Sequence, residues 1–213
     1  MKKILLAVLF LVFMQSCITS LHPLYTEENL IEKKEMMALW KDKEGMYWRF
    51  FKADDSKLYR LRCRSRNFTA VYNAGLVKFG ENYFLDVQME ENPISDEEAA
   101  RLKKADENPD PKATKGSSDQ NDVGFLAYNI PGHNFYKLAF KGDNIYVYPF
   151  NDDYLEDLFK QRKVRIKHEK VESSLTVLTA STKELQDFFK KYGNDPKLFK
   201  NDEPKVLRKL VKK

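Results

Sequence analysis

MYWRFFKADDSKLYRLRCRSRNFTAVYNAGLVKFGENYFLDV, residues 46–87, decides the fold. It is a series of short runs rich in Tyr, Phe, Val and Leu, broken by the turn-like clusters Ala53-Asp54-Asp55-Ser56 and Phe79-Gly80-Glu81-Asn82. Runs of that length with that punctuation read as strands in a meander. Within it Tyr59, Leu61 and Cys63 alternate with Arg60, Arg62 and Arg64. A period of two is that of a half-buried antiparallel strand with one wet face.

Further along, Phe135–Phe140 and Ile145–Phe150 flank Lys141-Gly142-Asp143-Asn144, a strong hairpin signal, and Tyr136, Leu138 and Phe140 share one face. Asn151 or Asp152 can cap a helix to about Gln161, with Leu155, Leu158 and Phe159 at helical spacing. Strands near Val164–Glu169 and Leu175–Thr179 follow. A last helix opens on the box Ser181-Thr182-Lys183-Glu184, buries Leu185, Phe188, Phe189 and Tyr192, and stops at Gly193. Many short strands with few helices predict a mainly β domain: a closed or nearly closed antiparallel barrel, or a two-sheet sandwich, with a C-terminal helix.

The domain is bracketed by segments of other character. Residues 1–16 carry a basic start at Lys2 and Lys3, an apolar run from Ile4 to Met14, and Ser16 just before Cys17, the layout of a cleavable export signal. Residues 17–35 read as a tether partly packed on the domain, 36–193 as the β-rich domain, and 194–213 as a basic tail. Residues 90–122 are dominated by acids, Lys, Pro, Ser, Asn and Asp, and are expected to form a mobile insertion with a brief helix from Ser95 to Lys104. The 213 residues are 42% hydrophobic and 13% aromatic, enough for one sizeable core. Loss of Lys2 and Lys3 with the signal lowers the formal charge from +5 to +3, too little to imply a nucleic acid as partner.

Met14-Gln15-Ser16-Cys17 resembles a loose bacterial lipobox, with Leu21-His22-Pro23-Leu24-Tyr25-Thr26 behind it, Leu39-Trp40 followed by Trp48 and Phe50 in the middle, and Leu178-Thr179-Ala180-Ser181-Thr182 with Glu184-Leu185 near the end. Together these resemble uncharacterised lipoproteins of Gram-negative bacteria, chiefly Bacteroidetes-like ones. The resemblance implies a diacylglyceryl group and fatty acyl chains such as palmitate on Cys17, and a place in the cell envelope. Ile18 and Thr19 stand where an acid would signal inner-membrane retention, which by the same resemblance implies the outer membrane. Lipidation of Cys17 leaves Cys63 with no partner for a disulfide. The Trp40 region also resembles the first strand of lipocalin-type barrels, with Ala38 where their Gly-x-Trp signature has glycine.

Chemistry is sparse. His22, His133 and His168 are far apart, none has metal-type spacing with another His or Cys, and no nucleophile elbow, phosphate loop or HExxH helix occurs. No catalytic residue, metal or cofactor is therefore assigned. Asp54-Asp55 and Asp152-Asp153 fit a turn and a helix start better than a calcium site. Arg60, Arg62, Arg64 and Arg66 would share one strand face, where guanidinium forks can hold an acidic partner, a lipid phosphate or a sulfated sugar. Trp48, Phe50, Tyr136 and Phe140, from a larger aromatic set, could line a cup for an apolar ligand or simply fill the interior. Lys205–Lys213 has five bases, with Val206, Leu207, Leu210 and Val211 at helical spacing, and could lie on an anionic membrane. The function expected is a non-enzymatic binding or interaction module of the envelope. The alternatives are a structural or assembly partner there, or an envelope hydrolase built near His133 or His168.

Overall fold

A computed structural model describes residues 17–53, 56–65, 69–89, 132–172, 175–200, 202 and 204–210. In chain order the elements are β1 (Cys17–Ser20), β2 (Leu39–Lys41), β3 (Tyr47–Lys52), β4 (Tyr59–Arg64), β5 (Thr69–Phe79), β6 (Asn82–Met89), β7 (His133–Lys141), β8 (Asn144–Pro149), α1 (Asp152–Lys160), β9 (His168–Glu172), β10 (Leu175–Leu178), α2 (Thr182–Tyr192) and β11 (Lys205–Lys209), with a 3₁₀ turn at Lys34–Met36. None of the described helices is long and apolar enough to cross a membrane.

The strands hydrogen-bond in the order β6-β5-β4-β3-β2-β11-β8-β7, and β6 pairs back onto β7. Eight strands thus close into an antiparallel barrel, which satisfies every neighbour and leaves no edge within the ring. From the outside of β7 the sheet continues as a short flap, β1-β10-β9. β1 joins β7 antiparallel through Ser20 and His133, but runs parallel to β10 from Cys17 opposite Leu175 to Ser20 opposite Leu178.

Alternation explains the rest. On β4 Tyr59, Leu61 and Cys63 are buried while the arginines between them are half-exposed. The tight turns at Gly80 and Gly142 need the left-handed conformation (φ 58° and 56°), which glycine adopts without a Cβ clash. On β5, β6 and β7 both faces are buried, because two cores share these strands. Leu76, Leu85 and Tyr136 point into the barrel, with Trp48, Leu61 and Leu207. Their neighbours Val77, Phe84 and Phe135 point outward into a second core made with Leu155 and Leu158 of α1 and Leu185, Phe188 and Phe189 of α2. Phe189 is its hub: it meets Phe84 and Phe135 edge-on, with centroids 5.1 and 5.2 Å apart, and stacks on Phe150 at 5.8 Å.

Both helices start as their sequences require. Asn151 caps α1 by accepting from Tyr154 N–H, and Ser181 and Glu184 form the reciprocal box on α2. At the end of α2, Gly193 has an ordinary helical φ of −62°. Glycine is required there by space, since a Cβ would overlap the Phe189 carbonyl oxygen and lie 2.7 Å from the Phe84 ring.

Residues 17–35, expected as a tether partly packed on the domain, supply the sheet strand Cys17–Ser20 and bury Leu24 and Leu30. Two sequence expectations are corrected. Residues 205–209 are not a helical tail but the strand that closes the barrel between β2 and β8, with Leu207 fully buried. The strand expected near Val164 begins only at His168. The insertion 90–122 and its short helix lie outside the described residues.

Candidate functional site

The barrel interior is occupied by its own side chains. Trp48, Phe50 and Tyr136 are 1%, 3% and 6% exposed and pack in one cluster, with Phe140 at its margin. Leu61, Cys63, Ala74, Leu76 and Leu207 have no surface a water could reach, either from outside or from a void. The aromatic residues proposed to line a cup therefore serve as filling, as bulky residues in an eight-stranded barrel commonly do. Cys63 is a free buried thiol inside this packing, and its burial pushes its pKa up, away from reactivity.

The barrel's rim is pinned by a buried carboxylate. Asp42 accepts hydrogen bonds from Met46 N–H at 2.8 Å and Trp48 Nε1–H at 2.9 Å, and lies 3.3 Å from Lys205 Nζ. Lys205 also reaches Glu44 at 3.0 Å, so the first turn of the barrel is tied to its last strand.

On the outer surface, the arginine stripe lies as the alternation requires. Arg60, Arg62 and Arg64 stand opposite Phe51, Arg49 and Tyr47 of β3. Arg66 lies outside the described residues. Arg64 sits 5.6 Å and Lys41 Nζ 4.9 Å from the Tyr47 ring centroid, Arg49 lies 5.3 Å from that of Phe51, and Arg60 donates to Asn73 Oδ1 at 2.6 Å. The face thus sets guanidinium groups and aromatic rings side by side, within cation–π range at Arg49–Phe51 and Arg64–Tyr47. The Tyr47 hydroxyl is buried within it without a hydrogen-bond partner among the described residues. In the ring of eight, β3 is four pairings from β7 in either direction, so this face lies across the barrel from the flap that carries β1.

The histidines divide. His22 is exposed at the head of the LHPLYT segment, and its backbone N–H and carbonyl are both bonded by the Ser20 hydroxyl group. His168 stacks on Phe159 with centroids 3.7 Å apart, its Nδ1 2.9 Å from the Ile166 carbonyl oxygen. His133 is buried, and its Nδ1 lies 2.7 Å from Asp86 Oδ1. Asp86 also accepts from Leu24 N–H at 2.7 Å, and burial raises its pKa, offset in part by His133 and by that N–H. Tyr25 meets the His133 ring edge-on at 6.3 Å, and its own pKa is pushed up to about 12 by burial and by the Asp86 charge. A Cβ on Gly75 would overlap the Tyr25 ring.

Sequence reading missed this pair. The signal present was an acid in the apolar run Phe84-Leu85-Asp86-Val87, where a charge demands a partner. The pair explains where the LHPLYT segment goes. Leu21 N–H donates to the Leu178 carbonyl at 3.0 Å, Leu24 docks on Asp86, and Gln186 of α2 donates to the Leu24 carbonyl at 3.2 Å. Two of the segments that resemble lipoprotein motifs, Leu21–Thr26 and Leu178–Leu185, thus meet at one structural junction that locks β1, β10 and α2 to the barrel.

Asp152 fills a similar role at the start of α1. It accepts the backbone N–H of Ile18, and burial raises its pKa to about 7. Its neighbour one turn on, Glu156, accepts from Thr176 Oγ1 at 3.0 Å, on the strand beside β1. Asp54-Asp55 lies outside the described residues, and among those described no three His, Cys, Asp or Glu side chains converge on a common point.

Comparison of the chain with protein-family models, with curated proteins and with solved structures finds no match. The class stands on geometry alone: an eight-stranded antiparallel barrel, consistent with a lipocalin-like β barrel, flanked by a three-stranded flap and two helices.

Proposed function

We propose that the protein is a non-enzymatic interaction module of a bacterial cell envelope, held to the outer membrane by acyl chains on Cys17, and that it works through the outside of its barrel. The observation that carries this reading is the contrast between the two faces of β3 and β4. The inward face is consumed by packing, whereas the outward one presents arginines and aromatic rings, in register, on the side remote from β1. Planar guanidinium groups offer paired N–H donors that match a carboxylate, phosphate or sulfate, which suits a partner bearing one of these. The lipobox-like junction before Cys17 and the LHPLYT segment after it support the anchor.

The test of the face is retention of the protein on a sulfated-polysaccharide matrix. Replacing Arg60, Arg62 and Arg64 with Gln should weaken retention at least about tenfold, since each charge-assisted pair is worth on the order of 1.5 kcal/mol or more. Unchanged retention would remove the face from consideration. The anchor is read separately from the mass of the mature N-terminus: an unacylated cysteine overturns it.

A further inference from the structure

We infer that the outer edge of the flap, from Lys163 to Lys170, takes up an extended acidic segment of a partner protein as an added strand. β9 is the last strand of the sheet, and among the described residues nothing pairs with its far side. The residues before it prolong that edge. Val164 and Ile166 are buried in the second core, Arg165 and Lys167 are exposed, and Thr179 N–H bonds the Lys167 carbonyl at 3.0 Å. Burial that alternates in this way is the mark of extended chain. At the other end Glu172 is level with Leu175 and Lys170 with Thr176, so Val171 is an extra residue and the regular edge stops there.

Backbone chemistry selects a polypeptide. Because Lys167 turns its carbonyl to Thr179, the alternation of an antiparallel ladder turns the backbone groups of Ile166 and His168 away from β10. His168 Nδ1 lies 2.9 Å from the Ile166 carbonyl oxygen. The Ile166 N–H and both backbone groups of His168 are left for a newcomer. Such groups recur every two residues, the spacing at which another extended chain presents its own. A lipid surface or a sugar chain offers no matching ladder.

Charge selects the composition of that chain. Lys160, Arg162, Lys163, Arg165 and Lys167 place five bases in residues 160–168 without an acid. Lys163, Arg165 and Lys167 are exposed at alternate positions, where they would stand beside alternate side chains of an added strand. Opposite charges pair across strands and like charges repel. Glu184 engages Lys167 at 3.0 Å, whereas Lys163 and Arg165 have no ion pair among the described residues. A row of bases on an open edge also keeps copies of the same chain apart, so this edge is guarded against itself and open to a strand of opposite sign. The arginine face lies across the barrel, and the two surfaces are separate.

The experiment uses residues 17–213, which contain every described strand, with Cys17→Ser so that no acyl chain contributes. Anisotropy of a labelled (Glu-Thr)4 peptide should rise on titration with the protein, and that of (Lys-Thr)4 should not. Hydrogen exchange should slow over residues 163–170 when the acidic peptide is bound. Methylating every second amide nitrogen of the peptide should abolish binding in one of the two possible phases and spare it in the other, because an added strand bonds through one edge only. Replacing Lys163 and Arg165 with Gln should weaken binding about fivefold. The triple Gln variant of Arg60, Arg62 and Arg64 should bind as the parent does. Absence of binding at millimolar peptide, equal binding of the basic peptide, equal effects of the two methylated peptides, full binding by the Lys163 and Arg165 variant, or loss with the triple variant would each overturn the inference.

Discussion

Three buried or partly buried aspartates do unequal work in this protein. Asp42 is the most committed, because it collects two N–H donors and an ammonium group with its side chain closed to solvent. Asp42→Ala would leave the Trp48 indole, the Met46 amide and part of the Lys205 charge without an acceptor. A loss of about 3–5 kcal/mol is expected in urea unfolding followed by tryptophan fluorescence. Asp152 makes a different prediction. Its folded pKa of about 7 lies above the ordinary value near 4, so ionisation is less favourable in the folded protein than in the unfolded chain. Its contribution is complete below pH 4 and is lost as the pH rises from about 4 through about 7. Asp153 and Glu156 deepen the effect, while Ile18 N–H and Lys200 oppose it. Asp152→Asn keeps an oxygen for Ile18 and should flatten the fall in urea midpoint between pH 5 and pH 7.5. Asp86, raised in the same direction, should leave a residual slope.

At the level of elements, legibility followed how local the deciding contacts are. The β7–β8 hairpin and both helices were readable because their turn and cap residues lie within a few positions of one another. β11 was not readable. Val206, Leu207, Leu210 and Val211 have helical spacing, but five residues cannot sustain a helix unaided, and the partners that make them a strand are Trp40–Lys41 and Asn144–Val147. Nothing near residue 205 announces them. The same holds for the Asp86–His133 contact, whose members are 47 residues apart. If β11 is the closing strand, Leu207→Asp should abolish cooperative unfolding by placing a charge in a sealed core. Arg208→Gln, next to it and exposed, should change stability by less than about 0.5 kcal/mol. Circular dichroism and thermal melts of the two variants separate a strand from a tail, since an exposed tail would tolerate both.

Taken whole, the barrel class was legible from the meander at residues 46–87, where each strand pairs with the next. The second core was not, although its cause is visible afterwards: Val77, Phe84 and Phe135 are apolar at positions the alternation assigns to solvent. Such violations mean a further layer, and the aromatic residues of α2 supply it. The candidate site divided in the same way. Arg60, Arg62 and Arg64 were placed on one face by period two alone, while the neighbouring rings of Tyr47 and Phe51 depend on cross-strand register.

The first described strand and the last belong to one sheet, and β2 waits for β11 across most of the chain. Whether it emerges from a ribosome or a translocation pore, the polypeptide cannot finish its ring until residue 209 is free. Until then β2 and β8 keep open, adhesive borders. Such a topology folds on the millisecond-to-second scale of long-range β pairing. It also makes the delivery of the final few residues a timing event, during which the nascent molecule depends on an escort or on haste.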